Sequence, residues 1–254
     1  MNQSVIHQTI GPLIGSGRVA EVFEYGDRVV KLYRDPTWRT PAFMEAATLA
    51  IVAEHDVPTP AAYAVGQFAG RWGVVMDRAQ GEPLARFAQD QPEIVPEAVD
   101  EMVSLHVRMH KKPEPRLPSL KARLGNRIGR ATQLAPATKD RLLAALGDLP
   151  EGDRLCHGDF HPFNIVGPPG HTMVIDWLDA TTGHPAADVC RSFIIMMRAV
   201  AELAENYLDR YAALGGIARH DILAWLPVVA AARLAENIPE EEEALLRLAN
   251  GVPA

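Results

Sequence analysis

Strand-like segments crowd into the first third of this chain and helical ones into the rest, and that segregation limits the fold more than any other feature. Ala20 to Tyr25 and Arg28 to Tyr33 alternate apolar and polar residues, and Gly26-Asp27 between them reads as a hairpin turn. Ile10 to Ile14 reads as a further strand, leading into Gly15-Ser16-Gly17. Pro41 to Glu54 has helical periodicity, with Phe43, Ala46, Leu49, Ala50 and Ala53 on one face, and Pro58 and Pro60 end it. Ala61 to Val65 and Trp72 to Met76 form a second strand pair around Gly70. Beyond a Pro- and Gly-containing connector at Ala79–Pro83, helical patterns cover 96–110, 120–134, 139–146, 186–214, 220–235 and 240–248. Two short strands, near Asn164–Val166 and Met173–Ile175, flank a Gly167–Gly170 turn. Strands first and helices after is the α+β pattern. It predicts a small antiparallel sheet with one helix over 1–77, a connector at 78–83 and a larger, mostly helical region over 84–254.

At 254 residues the chain is long enough to bury a substantial core. A net charge of −7 argues against nucleic acid as a partner, because binding its backbone needs a basic face. Cys156 and Cys190 lack metal-ligand spacing and suit a reducing, cytoplasmic compartment. The opening Met1-Asn2-Gln3-Ser4-Val5 lacks the basic-then-apolar layout of a signal peptide. The apolar run Ile222–Ala235 is interrupted by Pro227 and is too short to span a bilayer, so no membrane partner is expected. Oligomeric state is not legible.

Chemistry concentrates in Leu155-Cys156-His157-Gly158-Asp159-Phe160-His161-Pro162-Phe163-Asn164, followed by Val174-Ile175-Asp176-Trp177. A phosphoryl-transfer site needs one carboxylate to orient the acceptor hydroxyl and take its proton, which suits Asp159. It also needs hard oxygen donors for magnesium on the phosphates, and the Asn164 amide with the Asp176 carboxylate meets that need. The segment resembles the catalytic motif of the aminoglycoside phosphotransferase and choline kinase-like family. That resemblance implies a protein-kinase-like bilobal fold and a small-molecule kinase using magnesium and ATP, with GTP as an alternative. It assigns Lys31 to the nucleotide phosphates, Glu45 to an ion pair with that lysine, and Gly15, Ser16 and Gly17 to a phosphate-approaching loop. Val75 and Met76 would offer backbone groups to the base. Ala20 stands where protein kinases carry a third loop glycine, and no Ala-Pro-Glu segment follows Asp176, so a protein kinase is disfavoured.

The acceptor implied is a small hydroxyl compound, with cationic molecules such as aminoglycosides, choline or another amino alcohol in view. Asp100, Glu101, Glu202, Glu205, Glu236 and the run Glu240–Glu243 are acids that such a pocket could use, and Trp177, Trp225 and Tyr207 could wall it. Glu240–Glu243 reads better as a solvated helix start, which Pro239 just before it supports. Asp179 is read as facing phosphate or metal, or as capping a turn; Asp188 as a buried support for the catalytic loop; and His106 as packing. His157 and His161 around Asp159 raise a metallohydrolase alternative, but the remaining histidines show no ligand cluster in the sequence. A nucleotide-binding pseudokinase is the other alternative.

Overall fold

Two tight turns of different type shape the first sheet. The computed structural model describes residues 8–199 and 201–251, so the opening Met1–Val5 lies outside it. Strands β1 (Leu13–Ser16), β2 (Ala20–Tyr25), β3 (Arg28–Tyr33), β4 (Ala62–Phe68) and β5 (Arg71–Asp77) pair antiparallel in the order β1-β2-β3-β5-β4. Gly26, at φ 66, is the first central residue between the paired Tyr25 and Arg28, as a type II′ turn requires. Ala69 and Gly70 both have positive φ, 49 and 76, as in a type I′ turn. β1 begins later than the alternation suggests: Gly11 and Pro12 pair with Glu24, and the register shifts between Leu13 and Gly15. Tyr25, Val30, Leu32, Phe68 and Val75 pack as the core of this sheet. Gly73 lets β5 approach β3, since a Cβ there would meet the Lys31 carbonyl oxygen at 2.5 Å.

Helix α1 (Arg39–Val52) packs on β4 and β5. Its buried face is Ala42, Glu45, Leu49 and Val52, which corrects the expected apolar face; Phe43 is 47% exposed. The face turns because Glu45 is drawn inward by a buried cation on β3.

By its contacts the chain divides into two units. The first contains the sheet, α1, helix α2 (Leu84–Asp90) and, from later in the chain, Phe163–Leu178. That later segment carries the paired strands β7 (Ile165–Val166) and β8 (Met173–Val174). It is tied down by the Gly167 amide on the Glu82 carbonyl (2.9 Å) and the Val174 amide on the Pro58 carbonyl (2.8 Å). The border therefore differs from the connector at 78–83: Leu84–Asp90 and the 163–178 hairpin group with the strands.

The second unit is helical: α3 (Val95–Met109), α4 (Leu120–Arg130), α5 (Pro136–Asp148), α6 (Pro185–Ala199), α7 (Ala201–Gly215), α8 (Arg219–Leu223), α9 (Leu226–Leu234) and α10 (Glu242–Ala249). Helices α3 and α6 pack on α7, and α4 and α10 pack on α9. Ser119 caps α4, accepting from the Ala122 amide at 3.3 Å. Pro227 sits in the first turn of α9 and separates it from α8, splitting the 220–235 run. A short ladder of β6 (Arg154–Cys156) and β9 (Thr181–Gly183), not evident in the sequence, holds the ends of the catalytic segment. Among the described residues no helix is long and apolar enough to cross a membrane.

Candidate active site

The first unit gathers a charged triad. Lys31 on β3 is 7% exposed, and its Nζ donates at 2.7 Å both to Glu45 Oε1 and to Asp176 Oδ1. Tyr33, two residues on along the same strand face, donates its hydroxyl to the other Glu45 oxygen. Burial alone would lower the Lys31 pKa, but the Glu45 and Asp176 carboxylates outweigh it and hold the ammonium charged. The Asp176 side chain is 43% exposed where that of Glu45 is only 2%, so one carboxylate anchors the lysine and the other meets solvent.

Asp176 follows β8 and Asn164 precedes β7, and the Ile175 amide donates to the Asn164 carbonyl at 2.9 Å. The hairpin thus carries both oxygen donors at one end, a hard donor set that fits magnesium. Asp176 holds φ at 64, a left-handed conformation that aspartate tolerates better than most residues but at a cost.

Gly15, Ser16 and Gly17 end β1 and turn into β2, with the Gly17 amide on the Ala20 carbonyl at 2.9 Å. Arg34 braces this turn, donating to Ser16 Oγ (2.8 Å) and the Gly17 carbonyl (3.0 Å), a contact with no local signal in the sequence. Val75 and Met76 lie within β5, in register with β3 on one side and β4 on the other. Sheet pairing engages their backbone, so the first chain free of the ladder is at Arg78 and Ala79.

The second unit holds Asp159. Gly158, at φ 79, makes the turn before it, and a Cβ at that glycine would meet the Asp179 carbonyl oxygen at 2.3 Å. Asp188 on α6 fixes this turn by accepting the His157 amide (2.6 Å) and the Gly158 amide (2.8 Å). Its carboxylate also meets His106 Nε2 at 3.0 Å and His110 Nε2 at 3.4 Å. The other ring nitrogens are hydrogen-bonded to the hydroxyls of Tyr207 and Tyr211 (2.5 and 2.7 Å). The histidines therefore do form a cluster with Asp188, contrary to the sequence reading, because α3 spaces them one turn apart. Tyrosine hydroxyls donating to Nδ1 and Nε2–H groups donating to Asp188 satisfy this cluster without a metal ion.

Asp159 itself sits 3.4 Å from Arg191 Nη2 and 3.5 Å from His161 Nε2. Burial would raise its pKa, yet the His161 hydrogen bond and the Arg191 charge outweigh it and hold the carboxyl well below the usual range. Arg191, 5% exposed, also donates to the Gly158 carbonyl and to Glu236 at 2.7 Å. Asp179, expected at phosphate, metal or a turn, is held by Arg127 (2.7 Å) and Arg123 (3.2 Å), with Arg191 at 3.9 Å. Sequence reasoning missed these arginines. Arg123 and Arg127 stand one turn apart on α4, and Arg191 one turn beyond Asp188 on α6, which was the available signal.

The acids considered for a cationic pocket are mostly committed elsewhere. Asp100 pairs with Arg210, Glu205 with Arg219, Glu236 with Arg191, and Glu241 with Arg233. Glu240, Glu242 and Glu243 are exposed around the start of α10. Trp177, Trp225 and Tyr207 are fully buried in their units and form no open wall.

A family model described as the phosphotransferase enzyme family matches residues 13–226. A search of curated protein sequences finds no match. Among solved structures, a thermostable mutant of aminoglycoside phosphotransferase APH(4)-Ia, crystallised with ADP and hygromycin B, superposes with a TM-score of 0.65 at 17% identity. The match covers 96% of this chain and 92% of that one. APH(3'')-Id from Streptomyces rimosus, in complex with ADP and streptomycin, gives 0.62 at 19% identity over 84% and 90% of the two chains. An aminoglycoside-3'-phosphotransferase of type VIII gives 0.61 at 19% identity over 91% and 92%. At these identities the likeness is one of fold, the protein-kinase-like fold of these enzymes.

Proposed function

This chain belongs to the phosphotransferase enzyme family, and we propose that it is a small-molecule kinase transferring the γ-phosphoryl group of ATP to a hydroxyl of a small acceptor. The observation that carries this reading is the buried lysine shared by Glu45 and Asp176, in a chain that also holds Asp159 on a braced turn. Lys31 would neutralise phosphate oxygens, held in place by Glu45, while the Gly15-Ser16-Gly17 turn would let the backbone approach them without a side-chain clash. Backbone groups from Val75–Met76 or just beyond would take the base. Asn164 and Asp176 would hold magnesium, which when bound screens the charge on the phosphates.

Asp159 would accept a hydrogen bond from the acceptor hydroxyl and then its proton, as that oxygen bonds to phosphorus and the bond to the ADP oxygen breaks. A carboxylate held at so low a pKa is a weak base. In a loose transition state the hydroxyl proton leaves late, so orientation matters more than basicity. The two buried thiols, Cys156 and Cys190, fit a cytoplasmic setting.

The test is magnesium-dependent ADP release from ATP across aminoglycosides, choline, ethanolamine, sugars and hydroxy acids, with Asp159→Ala as control. Release that needs both an acceptor and Asp159 is the expected result. Nucleotide binding without phosphoryl transfer to any acceptor would instead favour a pseudokinase, a role in which Asp159 need not be kept.

A further inference from the structure

Three guanidinium groups converge beside Asp159 in the helical unit. Arg123, Arg127 and Arg191 line one narrow recess together with Thr181 and the carboxylates Asp179 and Asp188. Asp179 and Glu236 pair directly with these three cations, Asp159 meets Arg191 alone at 3.4 Å, and Asp188 spends its carboxylate on the His157 and Gly158 amides and the two histidines. Glu241 does not help, since Arg233 holds it at 2.5 Å.

Arg123 is the least compensated of the three. It makes one side-chain hydrogen bond, to Asp179 at 3.2 Å, although a guanidinium has five N–H donors. Desolvation lowers its pKa, the neighbouring Arg127 and Arg191 lower it further, and only Asp179 opposes them. An independent observation comes from Thr181, which is 1% exposed and whose Oγ1 has no hydrogen-bond partner in the structure. Buried hydroxyls are nearly always paired, and this one belongs to a residue lining the same recess, so it is open to a ligand oxygen there. A cationic acceptor in the recess would meet like charges; an anionic one would complete both the guanidinium fork and the hydroxyl.

We infer that the acceptor is a hydroxy compound carrying an anionic group, a carboxylate or a phosphate, received by Arg123, Arg127 and Thr181 while Asp159 faces its hydroxyl. This rests on the kinase reading above and narrows its substrate class.

The test is calorimetric binding to the full chain saturated with Mg·AMP-PNP, which occupies the other anion-binding site. The probes are glycerate, glycerol 3-phosphate, choline and glycerol. Glycerate or glycerol 3-phosphate should bind at least tenfold more tightly than choline or glycerol, and the tighter of the two names the anion. Arg123→Gln should weaken that binding about tenfold, Arg123→Lys should restore part of it, and AMP-PNP affinity should stay unchanged in both. Choline binding as tightly as the anions, no binding of either anion, or an Arg123→Gln variant that binds them normally would overturn the inference. ADP release measured with the same probes separates the two claims. Anion binding without turnover would leave the anion site standing and remove the kinase reading. Turnover of choline with no anion binding would do the reverse.

Discussion

The two units handle buried charge in opposite ways. In the strand unit one ammonium lies between two carboxylates, so Lys31, Glu45 and Asp176 together carry a net negative charge. In the helical unit three guanidinium groups share Asp179 and Glu236 and reach Asp159 only at 3.4 Å. The first arrangement can take up a divalent cation at its exposed carboxylate and hand its lysine to phosphate oxygens. The second can take up an anion. Lysine suits the first task as a compact point charge, and arginine suits the second because its planar fork matches a carboxylate or a phosphate.

If the division is functional, the two sets should fail differently. Asp159→Ala should lower kcat about a thousandfold, within the range for a lost general base, while leaving AMP-PNP affinity unchanged. Lys31→Met should instead abolish nucleotide binding in the same assay. Parallel losses of nucleotide affinity in both variants would break the comparison. The next largest effect is on stability. Glu45→Gln leaves the buried Lys31 ammonium with only the partly exposed Asp176, and should destabilise by about 3 kcal/mol in urea titrations. Replacing both members, Lys31→Met with Glu45→Leu, should recover most of that stability without activity, because the penalty is one of unpaired charge. Failure of the double variant to recover would mean that Glu45 acts through packing.

What the sequence made legible was local. Strands Ala20–Tyr25 and Arg28–Tyr33 are where alternation and a glycine turn put them, and spacing is what singled out Asp159, Asn164 and Asp176 as candidates. What it hid depended on distant partners. Periodicity chose Phe43 for the inner face of α1, whereas Glu45 lies there, in the ion pair with Lys31 that the family resemblance implied and periodicity could not show. His106 looked like a packing residue because the Asp188 carboxylate that organises it lies far along the chain. Arg123, Arg127 and Arg191 went unnoticed, since nothing local says that Asp179 and Glu236 face them. Hydrophobic period reports the faces of single elements; buried polar pairing is a tertiary property.

The histidine cluster sharpens the comparison through pH. Burial, reinforced by the charge of His110, pushes the His106 pKa down to about 4, so the folded state excludes a proton that the unfolded chain binds below about 6.5. Where the unfolded state binds more protons, stability rises with pH and is lost as pH falls. Stability should therefore decline between pH 6.5 and 4, by an amount on the order of 3 kcal/mol for this group. Asp188, held below its ordinary range, adds a loss only at more acid pH. Urea midpoints measured from pH 7 to 4.5 should show the decline, and His106→Gln should flatten it. An unchanged slope in that variant would mean that another group titrates.

The smallest effect separates strain that serves a site from strain that does not. Ala69 and Asp176 both hold positive φ in the strand unit, at 49 and 64. Ala69 sits in a two-residue hairpin turn where glycine or asparagine would be at ease, so Ala69→Gly should stabilise by about 0.5–1 kcal/mol and leave kcat unchanged. Asp176→Gly relieves the same kind of backbone strain but removes a carboxylate from the lysine and from the metal donor set. It should abolish turnover whatever it does to the melting temperature. If Ala69→Gly also lowered kcat, the β4–β5 turn would have to be counted with the nucleotide-handling residues, and the strain at Asp176 would lose its special standing as the one bound to function.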